Sequence, residues 1–153
     1  MQAKLRRALA VLGVLAMLCT LLPMGIVSVS AADETLLSLD FENGDIVAFY
    51  YNNKILVKRV ISGPGHWVNL DEKGTVFLDA EPLYEPYLTD KALGTCDIAL
   101  PYQVPDERYF VMGDHRSTSV DSRASVVGCV AEEQIVGKLV FRVWPLERFG
   151  RLD

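Results

Sequence analysis

The sequence predicts a mostly β protein: a compact antiparallel β-domain over residues 33–153, preceded by one N-terminal transmembrane or signal helix within residues 1–32. Three observations predict it. Short runs rich in Val, Ile, Phe and Tyr recur after residue 44, divided by Asn, Gly, Pro and Asp turn residues. No segment beyond residue 33 carries a long helical periodicity. The first 32 residues form an uncharged apolar run behind a basic start. At 153 residues, half of them hydrophobic, the chain holds one cored domain plus an appendage.

Lys4, Arg6 and Arg7 precede the run from Ala8 to Val29, which has no charge and is long enough to span a bilayer as a helix of ~20 residues. Basic residues before it and acidic ones after it place the N-terminus inside and the body outside. Ser30-Ala31-Ala32 before Asp33 also reads as a secretory cleavage site. The run exceeds the usual ~7–15-residue signal core, which favours a retained anchor, although Pro23 shortens the effective helix. Either way the body is extracytoplasmic. The whole chain carries −5; without the three basic residues of the leader, twelve basic against twenty acidic residues leave −8. Such a body binds no nucleic acid through a general basic field.

The strands follow in order. Asp45 to Tyr51 and Lys54 to Ile61 are β-branched and aromatic runs joined by Asn52-Asn53, a hairpin with Lys58 toward its far end. Gly63-Pro64-Gly65 breaks the second run. A second hairpin places Trp67 to Leu70 against Thr75 to Leu78 around Asp71-Glu72-Lys73-Gly74. Glu81 to Gln103, with several prolines and tyrosines, reads as an irregular excursion. Strand signals return at Arg108 to Met112, Ser125 to Ala131 and Ile135 to Trp144. Cys96 and Cys129 pair in an oxidising compartment or stay as two buried thiols. With no Cys-x-x-Cys and only His66 and His115, no zinc site and no cofactor are expected.

Lys58 is set among apolar strand-formers, where desolvation lowers an amine's pKa and makes it a general base. The plainer alternative leaves Lys58 and Arg59 on a solvated strand edge, where charges block aggregation. The polar loop Gly113 to Arg123 offers two carboxylate–guanidinium pairings, Asp114 with Arg116 and Asp121 with Arg123. Ser119 lies between them, placed to aim the lysine amine. A functionless salt-bridged turn, or a cation site of Asp114, His115 and Asp121, are the other readings of this loop; two arginines oppose the latter.

Gly113-Asp114-His115-Arg116-Ser117-Thr118-Ser119-Val120-Asp121-Ser122-Arg123 resembles the signature box of the type I signal peptidases at every fixed position. Gly44-Asp45-Ile46-Val47, Lys58-Arg59-Val60-Ile61 and Gly63-Pro64-Gly65 resemble that family's other boxes in the same order, so the similarity runs from about Gly44 to Trp144. His66 departs from the aspartate usual after Pro-Gly, and His115 from the commoner asparagine. The resemblance implies a single-pass cell-membrane serine endopeptidase, N-terminus cytoplasmic and C-terminal domain extracytoplasmic, that cuts signal peptides from exported preproteins with a Ser/Lys dyad. Its partners are then signal peptides and the lipid bilayer. Lys58 takes the base position, Ser119 orients it, and Asp114, Arg116, Asp121 and Arg123 shape the site. Phe49, Tyr50, Tyr51 and Trp144 are expected either in the core or on a surface that meets lipid.

The family's nucleophile box, Ser-Met-x-Pro-Thr, does not occur in this sequence. Ser28, Ser30 and Ser38 lack its flanking residues, and Ala16-Met17-Leu18-Cys19-Thr20 echoes it with alanine in the serine position. The expectation is that the chain has lost or lacks the nucleophile segment, or is a natural variant with a half-built site; Ser28 or Ser30 is the candidate substitute. Two functions therefore stand: a signal-peptidase-type protease, intact or damaged, and a non-catalytic peptide-binding β-module of the same ancestry. A cytoplasmic Ser/Lys self-cleaving repressor fits the membrane signal poorly.

Overall fold

A computed structural model of the chain describes residues 40–152, which belong to one compact unit beginning at Leu39. The expected leader, residues 1–32, and the serines Ser28, Ser30 and Ser38 lie outside the described residues. Among the described residues no helix is long and apolar enough to cross a membrane.

The first hairpin forms as its sequence requires. Strand β1 (Ile46–Tyr51) pairs antiparallel with β2 (Lys54–Ser62), with Lys58 opposite Val47. Asn52 and Asn53 adopt φ of 45° and 58°, the left-handed pair of a tight hairpin turn that asparagine tolerates. The second hairpin joins β3 (Trp67–Leu70) to β4 (Val76–Leu78). Its turn is held by the Asp71 carboxylate, which accepts the N–H groups of Lys73 and Thr75 at 2.9 and 2.7 Å. Gly74, at φ +78°, lies against the Ala92 backbone, 2.3 Å from where a β-carbon would stand. Only glycine fits there.

The excursion is largely irregular, but its ends are strands. β5 (Glu81–Pro82) pairs with β4, and β6 (Tyr102–Gln103) pairs with β3, giving a four-stranded sheet in the order β5-β4-β3-β6. The chain then returns as β7 (Arg108–Met112), β8 (Val130–Ala131) and, after a 3₁₀ turn at Glu132–Gln134, β9 (Ile135–Lys138). These complete a five-stranded antiparallel sheet in the order β8-β7-β2-β1-β9.

Two expected strands are shorter than their sequences suggest. From Ser125 to Ala131 only Val130 and Ala131 pair; the Ala124 carbonyl instead accepts the N–H groups of Val127 and Gly128 in a turn closed by Gly128 at φ +62°. Ile135 to Trp144 divides into β9 and β10 (Phe141–Arg142), and β10 pairs with β11 (Gly150–Arg151) in a separate ribbon. The apolar residues there are not core: Val140, Phe141, Val143 and Trp144 are all about half or more exposed. A run of Val and Phe carries the same propensity whether it faces a core or solvent.

Two apolar clusters flank the larger sheet. Val60, Tyr109 and Val111 belong to one, with Val47, Phe49 and Phe41. Ile61, Phe110 and Met112 belong to the other, with Val68, Leu70 and Val76 of the smaller sheet. Consecutive residues of β2 and β7 are thus buried on both sides, which is why these strands read as continuous apolar runs without alternation. A register shift between Val60 and Ser62 marks the point where β2 passes from one packing to the next. Cys96 and Cys129 are both free thiols; burial pushes the Cys129 thiol up to about 11.

Candidate active site

Lys58 stands two residues before Val60 on β2, a central strand with β1 on one side and β7 on the other. That position overturns the solvated-edge alternative: the neighbouring Arg59 is only 4% exposed. Burial holds the Lys58 ammonium below its ordinary value of 10.5; the Asp121 carboxylate opposes this shift and the Arg123 charge adds to it. The amine donates to Ser119 Oγ at 2.7 Å.

The loop after β7 holds that hydroxyl in place. Asp121 and Arg123 are fully buried and form a two-pronged pair, with Arg123 Nε on Oδ1 and Nη2 on Oδ2, both at 2.8 Å. Oδ2 of Asp121 also accepts the Gly113 N–H at 2.9 Å, closing the loop on itself. Burial alone would raise this carboxyl, but the Arg123 and Gly113 donors outweigh it and hold the group below its ordinary 3.8. Ser122 exchanges two hydrogen bonds with the Val111 backbone, at 2.9 and 3.1 Å, and so ties the loop to β7. Arg123 then reaches outward to the carbonyls of Arg116 (3.0 Å) and Leu93 (2.5 Å), joining loop and excursion.

Asp121 and Arg123 pair as the sequence predicts. Asp114 and Arg116 do not. Asp114 takes a two-pronged bond from Arg59, at 3.0 and 2.9 Å, and Arg116, fully buried, pairs with Glu85 of the excursion. Adjacent charges on a turn point apart, and each found a partner on another element. The cation-site alternative fails for the same reason: Asp114 serves Arg59, Asp121 serves Arg123, and His115 lies 3.0 Å from Asp90. Among the described residues no cluster of three or more potential ligands is suited to a metal ion.

Two supporting residues, Glu85 and Tyr87, were not singled out from the sequence, and Arg59 was read there only as a strand-edge charge and a member of the lysine box. The Arg59 guanidinium lies 3.8 Å above the Tyr87 ring and donates to the Gly44 carbonyl at 2.7 Å. The Tyr87 hydroxyl donates to Glu85 at 2.8 Å, and Glu85 closes the chain back to Arg116, whose Nε donates to the Gly113 carbonyl at 3.1 Å. Two arms from the excursion therefore reach both sides of Lys58, through its strand neighbour and through the loop. Pairing of residues 31 positions apart in sequence leaves no local spacing signal to find.

Beside the amine lies a cavity of about 210 Å³ lined by Ile46, Val57, Lys58, Arg59, Gly113 and Asp114. The fold and site define a class: an antiparallel β-domain with a partly desolvated lysine amine hydrogen-bonded to a serine hydroxyl beside an open cavity. The family model described as signal peptidase, peptidase S26, matches residues 9–144, and the chain belongs to the type I signal peptidase family. It is 38% identical over 124 residues to the signal peptidase IB of Staphylococcus aureus strain Mu50, a match covering 71% of this chain and 63% of that protein. The chain thus spans somewhat under two thirds of that relative's length. The crystal structure of a signal peptidase I from Enterococcus faecalis V583 superposes with a TM-score of 0.56 at 28% identity, covering 65% of this chain and 97% of that one.

Proposed function

We propose that this chain carries the base half of a signal-peptidase site, in which Lys58 deprotonates a serine hydroxyl that attacks the carbonyl after a small residue of a signal peptide. The observation that carries the reading is the 2.7 Å bond from the half-buried Lys58 amine to Ser119, beside a cavity that Lys58 itself lines. In this reading Ser119 orients the lysine, Asp121 and Arg123 fix the loop, and Asp114 and Arg116 tie the site to Arg59 and Glu85. Backbone donors stabilise the oxyanion, and the substrate lies as an extended strand.

The attacking serine is the open part. No Ser-Met-x-Pro-Thr sequence occurs in the chain, and a base without a hydroxyl to deprotonate performs no acyl transfer. That observation favours the second reading, a peptide-binding β-module of the same ancestry. A bilayer partner is supported by the exposed apolar residues Val143, Trp144, Leu146 and Phe149 beside Arg142 and Arg148, a composition suited to a membrane interface.

The test is cleavage of a secretory preprotein by the detergent-solubilised chain, next to a version with a Ser-Met-x-Pro-Thr segment inserted between the apolar run and Gly44. Cleavage only after insertion supports a sound scaffold that lacks its nucleophile. Cleavage by the chain as it stands, lost in Lys58→Ala, assigns the nucleophile to another serine. Cleavage by neither, with a signal peptide still bound, leaves the binding module as the function.

A further inference from the structure

A second cavity, of about 410 Å³, opens on the smaller sheet among Trp67, Asn69, Asp79, Ala80 and Pro101. It has the size of a small-ligand site and shares no residue with the cavity at Lys58.

Its floor is not a by-product of core packing. Along β3, Val68 and Leu70 are buried while Trp67 and Asn69 face outward, and Trp67 remains 47% exposed. The hydrophobic cluster beneath the sheet uses neither of them. Asn69 is exposed on that face and lines the cavity together with Asp79, whose carboxylate is firmly placed. Asp79 Oδ1 accepts the Trp67 backbone N–H at 2.8 Å, and Oδ2 lies 2.6 Å from His66 Nδ1. Those bonds, the Trp67 N–H foremost, keep the Asp79 carboxyl below its ordinary range and so ionised.

The backbone at the rim is strained. Leu78 pairs with Glu81, so Asp79 and Ala80 form a two-residue turn, at φ +49° and +72°. Glycine is the usual occupant of the second position of such a turn, because a β-carbon there is unfavourable. Alanine keeps the unfavourable conformation and presents its methyl group to the cavity. Backbone strain of this kind concentrates at binding sites.

A half-exposed indole, an ionised carboxylate that accepts its backbone N–H and a solvent-facing amide make a receptor for an organic cation. The acidic balance of the chain, −5 overall, has the matching sign. We propose that this cavity binds the guanidinium group of an arginine side chain of a peptide, which lies over Trp67, pairs with Asp79 and donates to the Asn69 side-chain carbonyl. The site is separate from the Lys58 centre, and its existence does not depend on the function assigned there.

The test uses the full-length chain in detergent micelles carrying Trp144→Phe, so that Trp67 is the sole fluorescent indole. N-acetylarginine amide is titrated against its neutral isostere, N-acetylcitrulline amide, with spermidine and methyl β-glucoside as further arms. The expected result is saturable perturbation of Trp67 by the arginine derivative, weakened by added salt, with the citrulline derivative binding about tenfold more weakly. Asp79→Asn and, in NMR of the remaining signals, Trp67→Leu should each weaken binding about fivefold or more. Asparagine tolerates the left-handed turn, so an unchanged melting temperature for Asp79→Asn separates loss of the charge from loss of the fold. Equal binding of the citrulline derivative, preference for the glucoside or for spermidine, or no response to arginine would each overturn the proposal.

Discussion

Gly113 and Ser119 occupy almost the same space: a β-carbon built on Gly113 would fall 2.2 Å from Ser119 Oγ and 2.7 Å from its Cβ. The same β-carbon would stand 3.3 Å from Lys58 Nζ. The glycine that opens the loop therefore leaves room for the lysine–serine pair, and this need is one of contact distance.

Gly113→Ala is expected to fold and to lose that pair. The added methyl must push Ser119 away, at a cost of ~1–3 kcal/mol of the kind seen when a packed site is overfilled. Thermal unfolding gives the cost, and titration of the Lys58 amine by NMR after reductive methylation gives the displacement. An unaltered lysine titration together with an unaltered melting temperature would show that the loop relaxes freely.

The pH dependence of Lys58 has a definite sign. Its pKa in the folded chain lies below 10.5, so between the folded value and 10.5 the unfolded chain holds more protons. Stability should rise with pH across that window and should be penalised below it, where the half-buried amine is charged. Lys58→Met should flatten the rise. Any lysine-dependent cleavage should switch on as pH climbs through the folded value, which sets the ascending, acid-side limb of a rate profile.

Asp121→Asn should behave in the opposite sense. The Asp121 carboxyl is held below 3.8, so its contribution is present above 3.8 and is lost as pH falls through the lower folded value. The variant leaves Arg123 buried without its counter-charge, which typically costs ~3–5 kcal/mol at neutral pH. Its stability deficit relative to the parent should shrink toward pH 2 in chemical denaturation. A constant deficit across the acid range would count against the ion pair as the cause.

Glu85→Gln tests the excursion. Arg116 is fully buried and Glu85 is its carboxylate partner, so the variant should lose ~3 kcal/mol. Tyr87→Phe removes only one hydrogen bond and keeps the ring under Arg59, so it should lose ~1 kcal/mol. Reversal of that order in urea midpoints would mean that the aromatic contact, and not the carboxylate, anchors the segment.

Particular residues show how far the sequence reached. Asn52-Asn53 announced its turn, because few residues accept two successive left-handed conformations. Asp121 and Arg123 announced their pairing, because two positions on one tight loop can satisfy each other locally. Asp114 and Arg116 carried the same spacing and misled, since their partners, Arg59 and Glu85, come from other elements. The run Ser125 to Ala131 also misled: strand propensity says nothing about whether a neighbouring strand is within reach.

The sequence by itself determined the β architecture, the hairpin that bears Lys58 and the family, because turn chemistry, strand composition and a contiguous box are local properties. The tertiary structure decided what the box does with its charges. It placed β2 in the middle of a sheet and so desolvated the lysine, brought Ser119 within 2.7 Å of its amine, and drew Glu85 and Tyr87 across to brace it. Desolvation and ion pairing depend on distances through space, and those are set only when the strands have found their neighbours.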